Sequence, residues 1–138
     1  MTARPKVAAL VAAYNAERTI RDAIDPLLAA TDCQVYVVDD CSRIPVGGYL
    51  QNTDGRITVI RLEKNAGPAA ARNAALTEIL AAGFDYVAIA DADDISAPDR
   101  IAKQVAFMEA NPKVGACGTW VRNFQDGVPD ATYIKRRP

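Results

Sequence analysis

The chain predicts an α/β fold built on a mostly parallel sheet with helices on both faces. Two observations predict it. Short runs that are apolar throughout alternate with longer segments whose apolar residues recur at helical spacing, and strands apolar on both sides belong to parallel sheets covered on both faces. Acidic pairs also stand where successive runs end, at Asp39-Asp40 and at Asp91 to Asp94, which is where ligands bind in such sheets. At 138 residues the chain reads as one domain, long enough to bury about two-thirds of its unfolded surface in one core.

Taken in order, Val7 to Ala13 makes the first strand. Asn15 is placed to cap a helix whose Ile20, Ile24, Leu27 and Leu28 share a face, and Pro26 is expected to kink that helix or end it early. Gln34 to Asp39 and Arg56 to Leu62 give the next two strands. A helix over Gly67 to Ala82 opens with Pro68 near its first turn and closes at Gly83. Phe84 to Ala90 is the fourth strand. Ser96-Ala97-Pro98-Asp99 resembles a capping box, followed by the stripe Ile101, Val105 and Met108 and a stop at Asn111-Pro112. Val114 to Val121 reads as a fifth strand, and Gln125-Asp126-Gly127-Val128-Pro129-Asp130 as a turn.

Composition narrows the chemistry. Lys plus Arg number 16 against 17 Asp plus Glu, so the chain lacks the global basic field of a nucleic-acid binder; the one basic run, Lys135-Arg136-Arg137, reads as a solvated tail or the stump of a longer chain. There is no histidine, which excludes Ser-His-Asp triads, histidine acid-base steps and histidine metal sites. Cys33, Cys41 and Cys117 give an odd count without C-x-x-C, against a disulfide framework or zinc knot and consistent with a reducing cytoplasm. Arg4 and Lys6 ahead of Val7 to Ala13 resemble a leader with a cleavage site at Val11-Ala12-Ala13, but the run also makes a buried strand followed by a helix cap. No stretch approaches the roughly 20 apolar residues that span a bilayer.

Carboxylates must then carry any chemistry. On an extended chain residues two apart share a side, which sets Asp91 and Asp93 together, with Asp94 adding a third charge. Two carboxylates about 4 Å apart repel by about 1 kcal/mol in water and roughly 4 kcal/mol at an effective dielectric near 20, so a partly buried cluster favours a bound cation. Mg²⁺ or Mn²⁺ takes one or two protein oxygens and completes its shell with water and phosphates. The same run also matches a solvated acidic turn capping the next helix. The shared address of Tyr14-Asn15, Asp39-Asp40 and Asp91 to Asp94 at strand ends favours the first reading, with a phosphate-bearing nucleotide as ligand.

Val11-Ala12-Ala13-Tyr14-Asn15-Ala16-Glu17, Val37-Val38-Asp39-Asp40-Cys41-Ser42, Asn65-Ala66-Gly67-Pro68-Ala69-Ala70-Ala71-Arg72-Asn73 and Ala90-Asp91-Ala92-Asp93-Asp94 resemble, in order and spacing, the successive motifs of family 2 glycosyltransferases. The likeness covers about residues 5 to 122. It implies a GT-A-type, Rossmann-like sheet, here cut short before the acceptor-binding half, with residues 123–138 a tail or the start of that half. It implies transfer of a sugar from a UDP-, GDP- or dTDP-linked donor to a hydroxyl of a sugar or lipid-linked acceptor, with inversion at the anomeric carbon, in polysaccharide or glycoconjugate biosynthesis. Carried over residue by residue, the resemblance sets the nucleobase against Ala12, Ala13 and Tyr14, with Glu17 a neighbour and Asp40 accepting the ring N–H. Arg72 is directed at the base or diphosphate, Gly67 permits close approach, Asp91 with Ala92 holds the ribose, and Asp93 holds Mg²⁺ or Mn²⁺. Plainer readings stay open: Tyr14 as a strand-end aromatic, Arg72 paired with a surface acid, Gly67 as a turn glycine, Asp39 bonded to loop amides, Asp94 assisting a turn.

The chain departs from the family pattern in two places. Cys41 stands where a glycine is common, as a small filler or a thiol beside the site, and Ile44-Pro45-Val46-Gly47-Gly48 replaces a polar run. The family's general base comes from a later acceptor-side acid, whereas Asp126 and Asp130 are the only acids after the last expected strand. The expectation is a donor half that binds nucleotide with metal and turns over poorly, cytoplasmic or membrane-associated through further segments. A non-catalytic nucleotide-binding or homo-oligomerising module stays open beside it. A phosphoacceptor signalling domain would carry its acid pair on the first strand, and a nucleotidyltransferase would have a basic, glycine-rich loop where Ala12-Ala13-Tyr14-Asn15 stands.

Overall fold

Seven consecutive apolar residues have no side to give to water, and in the computed structural model they form a strand with a neighbour on each side, β1 (Val7–Ala13). Residues 4–30, 32–51, 55–125 and 128–135 are described; Asp126 and Gly127 of the expected turn, and Arg136 and Arg137 of the basic run, lie outside them. The elements that follow are α1 (Ile20–Leu28), β2 (Cys33–Asp39), a short 3₁₀ turn (Val46–Gly48), β3 (Ile57–Arg61), α2 (Pro68–Ala81), β4 (Tyr86–Asp91), α3 (Arg100–Ala110), β5 (Val121–Gln125) and β6 (Val128–Lys135). The first four strands form one all-parallel sheet in the order β3-β2-β1-β4.

Strand alternation divides the core between two helices. Ala8 and Leu10 of β1 and Val38 of β2 pack with Ala71, Ala75 and Ile79 of α2, which recur every four residues along that helix. The opposite face takes Val7, Ala9 and Val11, and there α1 packs on β2 and buries Ile20, Ala23, Ile24 and Leu27. Two alanines facing the sheet let α2 lie close to it. Pro26 lies in the last turn of α1, which ends two residues later, in keeping with the early end expected of a proline that cannot donate to the Asp22 carbonyl.

Four expectations are corrected. Asn15 does not cap α1; the cap position is Thr19, without a side-chain bond, because the Asn15 side chain is engaged elsewhere. Ser96 does not open α3, which starts at Arg100; its hydroxyl accepts a bond from Arg100 Nη1 at 3.0 Å. Residues 114–120 are not a strand, for Gly115 and Gly118 interrupt the run and glycine weakens a strand interior. The tail reading of residues 123–138 gives way to an antiparallel β5–β6 pair, which leaves their other reading, the start of the acceptor half, as it stood. β4, apolar as far as its terminal Asp91, lies at the sheet's edge among the described strands, leaving Ile89 exposed; Arg100 Nη2 donates to the Ile89 carbonyl at 2.7 Å.

The chain divides into two compact units, Met1–Ala102 and Lys103–Pro138. The first holds the parallel sheet, α1 and α2. The second holds most of α3, whose Gln104 donates to the Cys117 carbonyl at 3.4 Å, and the β5–β6 hairpin. Among the described residues no helix is long and apolar enough to cross a membrane.

Leu10 is fully buried between the sheet and α2. Leu10→Ala is therefore expected to lower the unfolding free energy by about 2–5 kcal/mol, the range for a large-to-alanine cavity in a packed core, read as a shifted urea midpoint with an unchanged slope.

Candidate functional site

The parallel register lines up two adjacent rows of residues at the carboxyl ends of the four strands. Arg61 of β3 stands opposite Asp39 of β2, Asp39 opposite Ala13 of β1, and Ala12 of β1 opposite Asp91 of β4. The loops leaving these ends carry the remaining motif residues.

Asp39 is fully buried. Its carboxylate accepts the amides of Ser42 (2.8 Å) and Val46 (3.0 Å) and the Arg61 guanidinium, whose other arm donates to the Ser42 carbonyl at 3.0 Å. A buried charge persists only when paired and hydrogen-bonded, and here it is both. Burial pushes the carboxyl's pKa up, but the bonds from Ser42, Val46 and Arg61 together outweigh it and hold Asp39 below the usual carboxylate range. Sequence reasoning had no signal for Arg61, whose partnership follows only from the register of β2 with β3.

Asp40 is buried as well, at 3% exposure. Its two oxygens accept the amides of Ala66 and Gly67, each at 2.8 Å, so the carboxylate pins the turn that launches α2. A base N–H would have to share an oxygen that already holds a main-chain amide. Gly67 has φ +88°, and an added Cβ would meet nothing within 4 Å; its backbone angle, not crowding within the chain, calls for glycine.

The β1 and β2 loops are laced to each other. The Asn15 amide donates to Ser42 Oγ at 3.0 Å, and Asn15 Oδ1 accepts the Arg43 amide at 2.8 Å. Asn15 (φ 49°) and Cys41 (φ 61°) are both left-handed. Asparagine tolerates that region, whereas for cysteine it costs roughly 1–2 kcal/mol, which is the physical content of a position where glycine is common. Glu17 pairs with Arg43 at 3.7 Å. Its Oε2 and the Tyr49 hydroxyl are buried without partners among the described residues, and burial, then the charges of Glu17 and Asp39, push the Tyr49 pKa up.

A cleft of about 420 Å³ opens between the ends of β1 and β4, lined by residues that include Ala12, Tyr14, Asn15, Asp91, Ala92 and Asp93. Tyr14 is 55% exposed beside it. The cleft brings together Ala12, Tyr14, Asp91, Ala92 and Asp93 of the expected set; Ala13, Glu17, Asp40, Gly67 and Arg72 do not line it, and Thr19, which sequence reasoning did not name, does. Two of the three acidic or polar strand ends thus meet here, since Asp39-Asp40 is turned to the loops.

The acidic run is a turn and not an extended continuation of β4: the Asp94 amide donates to the Asp91 carbonyl at 3.2 Å, three residues apart. Strand alternation therefore does not set Asp91 and Asp93 side by side; the turn brings both to the cleft. Asp91 Oδ1 accepts Arg72 Nη2 at 2.6 Å. Asp94 has its pKa raised by partial burial and then by the charges of Asp91 and Asp93, with Arg100 opposing. Among the described residues no three His, Cys, Asp or Glu side chains form a closed metal cage. Hard oxygen donors on an open turn suit a Mg²⁺ or Mn²⁺ ion that arrives with phosphates and keeps much of its shell outside the protein.

The family model described as glycosyl transferase family 2 matches residues 8–137, and the chain belongs to that family. EpsE of Bacillus subtilis, named as a glycosyltransferase, is 34% identical over 146 residues, covering all of this chain and 51% of EpsE. The succinoglycan biosynthesis protein ExoO of Rhizobium meliloti is 38% identical over 109 residues, 77% of this chain and 30% of ExoO. The chain thus spans about half or less of these relatives. Among solved structures, residues 1–349 of Staphylococcus aureus TarS superpose with a TM-score of 0.68 at 28% identity, over 78% of this chain and 33% of that one, and TarS has been solved with UDP and with UDP-GlcNAc. The family match runs through the β5–β6 hairpin, past the boundary near residue 122 expected from the motifs.

Because the folded Asp39 carboxyl titrates below its unfolded value of about 3.9, its stabilisation is complete above about pH 4 and is lost as pH falls through the lower folded value. Asp39→Asn should lower stability at neutral pH by about 2–3 kcal/mol, less than the roughly 3–5 of a fully buried pair because Arg61 is partly solvated. Its stability should also fall less steeply with acid than the wild type's, as denaturant unfolding across pH 2–6 would read.

Proposed function

We propose that this chain is the donor-binding part of a glycosyltransferase, taking a nucleotide-diphosphate sugar with Mg²⁺ or Mn²⁺ for inverting transfer to a hydroxyl of a sugar or lipid-linked acceptor. The observation that carries the reading is the cleft shared by the ends of β1 and β4, with an exposed aromatic ring on one wall and carboxylates on the other, in a chain of this family. That TarS has been solved with UDP and UDP-GlcNAc supports the ligand class.

On this reading Tyr14 presents its ring to the base, and the backbone of Ala12 and Ala13 forms the adjoining wall. Asp91 accepts the ribose hydroxyls, each a donor to a carboxylate. Arg72 meets a phosphate with the fork geometry a guanidinium offers. Asp93, with Asp94 close by, holds the divalent ion, which when bound neutralises charge on the diphosphate leaving group. Asp40 acts by fixing the Ala66-Gly67 turn from which α2 and Arg72 depart. Proton removal from the acceptor is assigned to no residue of this chain.

Isothermal titration with UDP, GDP and dTDP, with and without Mn²⁺, tests the reading. At least one nucleotide should bind, Mn²⁺ should tighten it by about tenfold, or roughly 1.4 kcal/mol, and Asp93→Ala should lose that enhancement while keeping metal-free binding. Binding by the variant with an undiminished Mn²⁺ effect would remove Asp93 from the metal; no binding of any nucleotide by the wild type would overturn the function.

A further inference from the structure

Two side chains that the proposed function directs at the ligand are bonded to each other instead. Arg72 Nη2 donates to Asp91 Oδ1 at 2.6 Å. Asp91 lines the cleft, while Arg72 approaches it from the first turns of α2. Neither group is well served by the pair. The guanidinium has five donors in a rigid fork, yet its Nε is buried with no partner among the described residues, and one Asp91 oxygen is withheld from any hydroxyl entering the cleft.

Magnitude decides which partner wins. The pair is partly solvated, with side chains 31% and 54% exposed, and ion pairs of that kind shift an equilibrium by about fivefold or less. A phosphate offers the same guanidinium two anionic oxygens in bidentate geometry, with bonds roughly twice as strong as neutral ones, and vicinal hydroxyls replace the donor that Asp91 gives up. The exchange therefore runs toward the ligand.

We propose that the Arg72–Asp91 ion pair is a latch beside the cleft, joining α2 to its β4 wall, closed in the free chain and opened when a nucleoside diphosphate takes both partners. The inference rests on the proposed function and adds a step to it: binding is a change of partners between α2 and β4, and the latch favours a ligand bearing both phosphate and diol over one bearing either alone. A phosphate without the diol satisfies Arg72 and strands Asp91; a nucleoside without phosphate does the reverse.

A double-mutant cycle on UDP binding by the full chain, using Arg72→Gln, Asp91→Asn and the double variant, tests it. Each single variant loses a ligand contact but also loses the latch that binding must open, so its affinity falls less than the contact alone requires. The double variant removes both contacts and gains the latch relief once. Its loss should exceed the product of the two single losses by about threefold, the scale of one partly exposed pair. Losses that multiply without excess mean that the pair persists in the complex, and a double variant better than that product means that UDP tightens it; either overturns the latch while leaving nucleotide binding intact. Wild-type protein that binds no nucleotide fails the proposed function and the latch with it. Should a variant not fold, the Arg72 Nε–H resonance of ¹⁵N-labelled wild type gives the answer: a shift on UDP addition supports the exchange, and an unmoved resonance with UDP bound overturns it.

Discussion

The site depends on the parallel register of β1 with its two neighbours. Because Ala13 lies opposite Asp39 and Ala12 opposite Asp91, three loops leave the sheet at one level. β1 is held there by burial on both faces and by ladder bonds on both edges, which continue past the strand where the Asp40 amide meets the Ala13 carbonyl at 2.9 Å. A slip of one residue would exchange the faces of β1, sending Ala8 and Leu10 from α2 to α1, and would part the acidic turn from Tyr14. The core that stabilises the fold and the alignment that makes the site are one set of contacts.

Within that frame the acids divide by burial. Asp39 and Asp40 are nearly inaccessible and spend their oxygens on main-chain amides and Arg61, so they rigidify the loops leaving β2 and opening α2. Asp91, Asp93 and Asp94 are exposed on a turn, with Asp91 held by Arg72 alone among the bonds given above. Buried carboxylates that are fully bonded make a poor ligand surface and a good scaffold; solvated ones of like charge do the opposite. Adjacent loops, those of Asn15 and Arg43, carry their own reciprocal bonds, leaving the Arg72–Asp91 pair as the exposed contact that joins α2 to the acidic turn.

The sheet, its two covering helices and the strand-end location of the acids were legible from the chain because apolar runs and helical spacing are local signals. β1 matched residue for residue, and α2 was marked at both ends by Pro68 and Gly83. Partnerships that need the assembled sheet were not legible: Arg61 with Asp39, Arg72 with Asp91, and Asn15 with the Ser42-Arg43 loop all join residues remote in sequence. The placement of Asp91 to Asp94 was legible but its route was not, since these residues are brought to the cleft by a turn and not by strand alternation. The hairpin over residues 121–135 was missed because glycines break the apolar run ahead of it, and its pairing depends on a partner strand further along the chain.

Paramagnetic broadening by Mn²⁺ in the amide spectrum of the ¹⁵N-labelled chain tests the central claim most directly, that the β1 and β4 ends form one metal-diphosphate site. With UDP present and Mn²⁺ well below stoichiometric, the account predicts joint broadening at Tyr14 to Ala16 and at Asp91 to Asp94, and little without UDP. Broadening that ignores UDP, or that falls on the exposed acids Asp22 and Asp25 of α1 while Asp91 to Asp94 stay sharp, would contradict it.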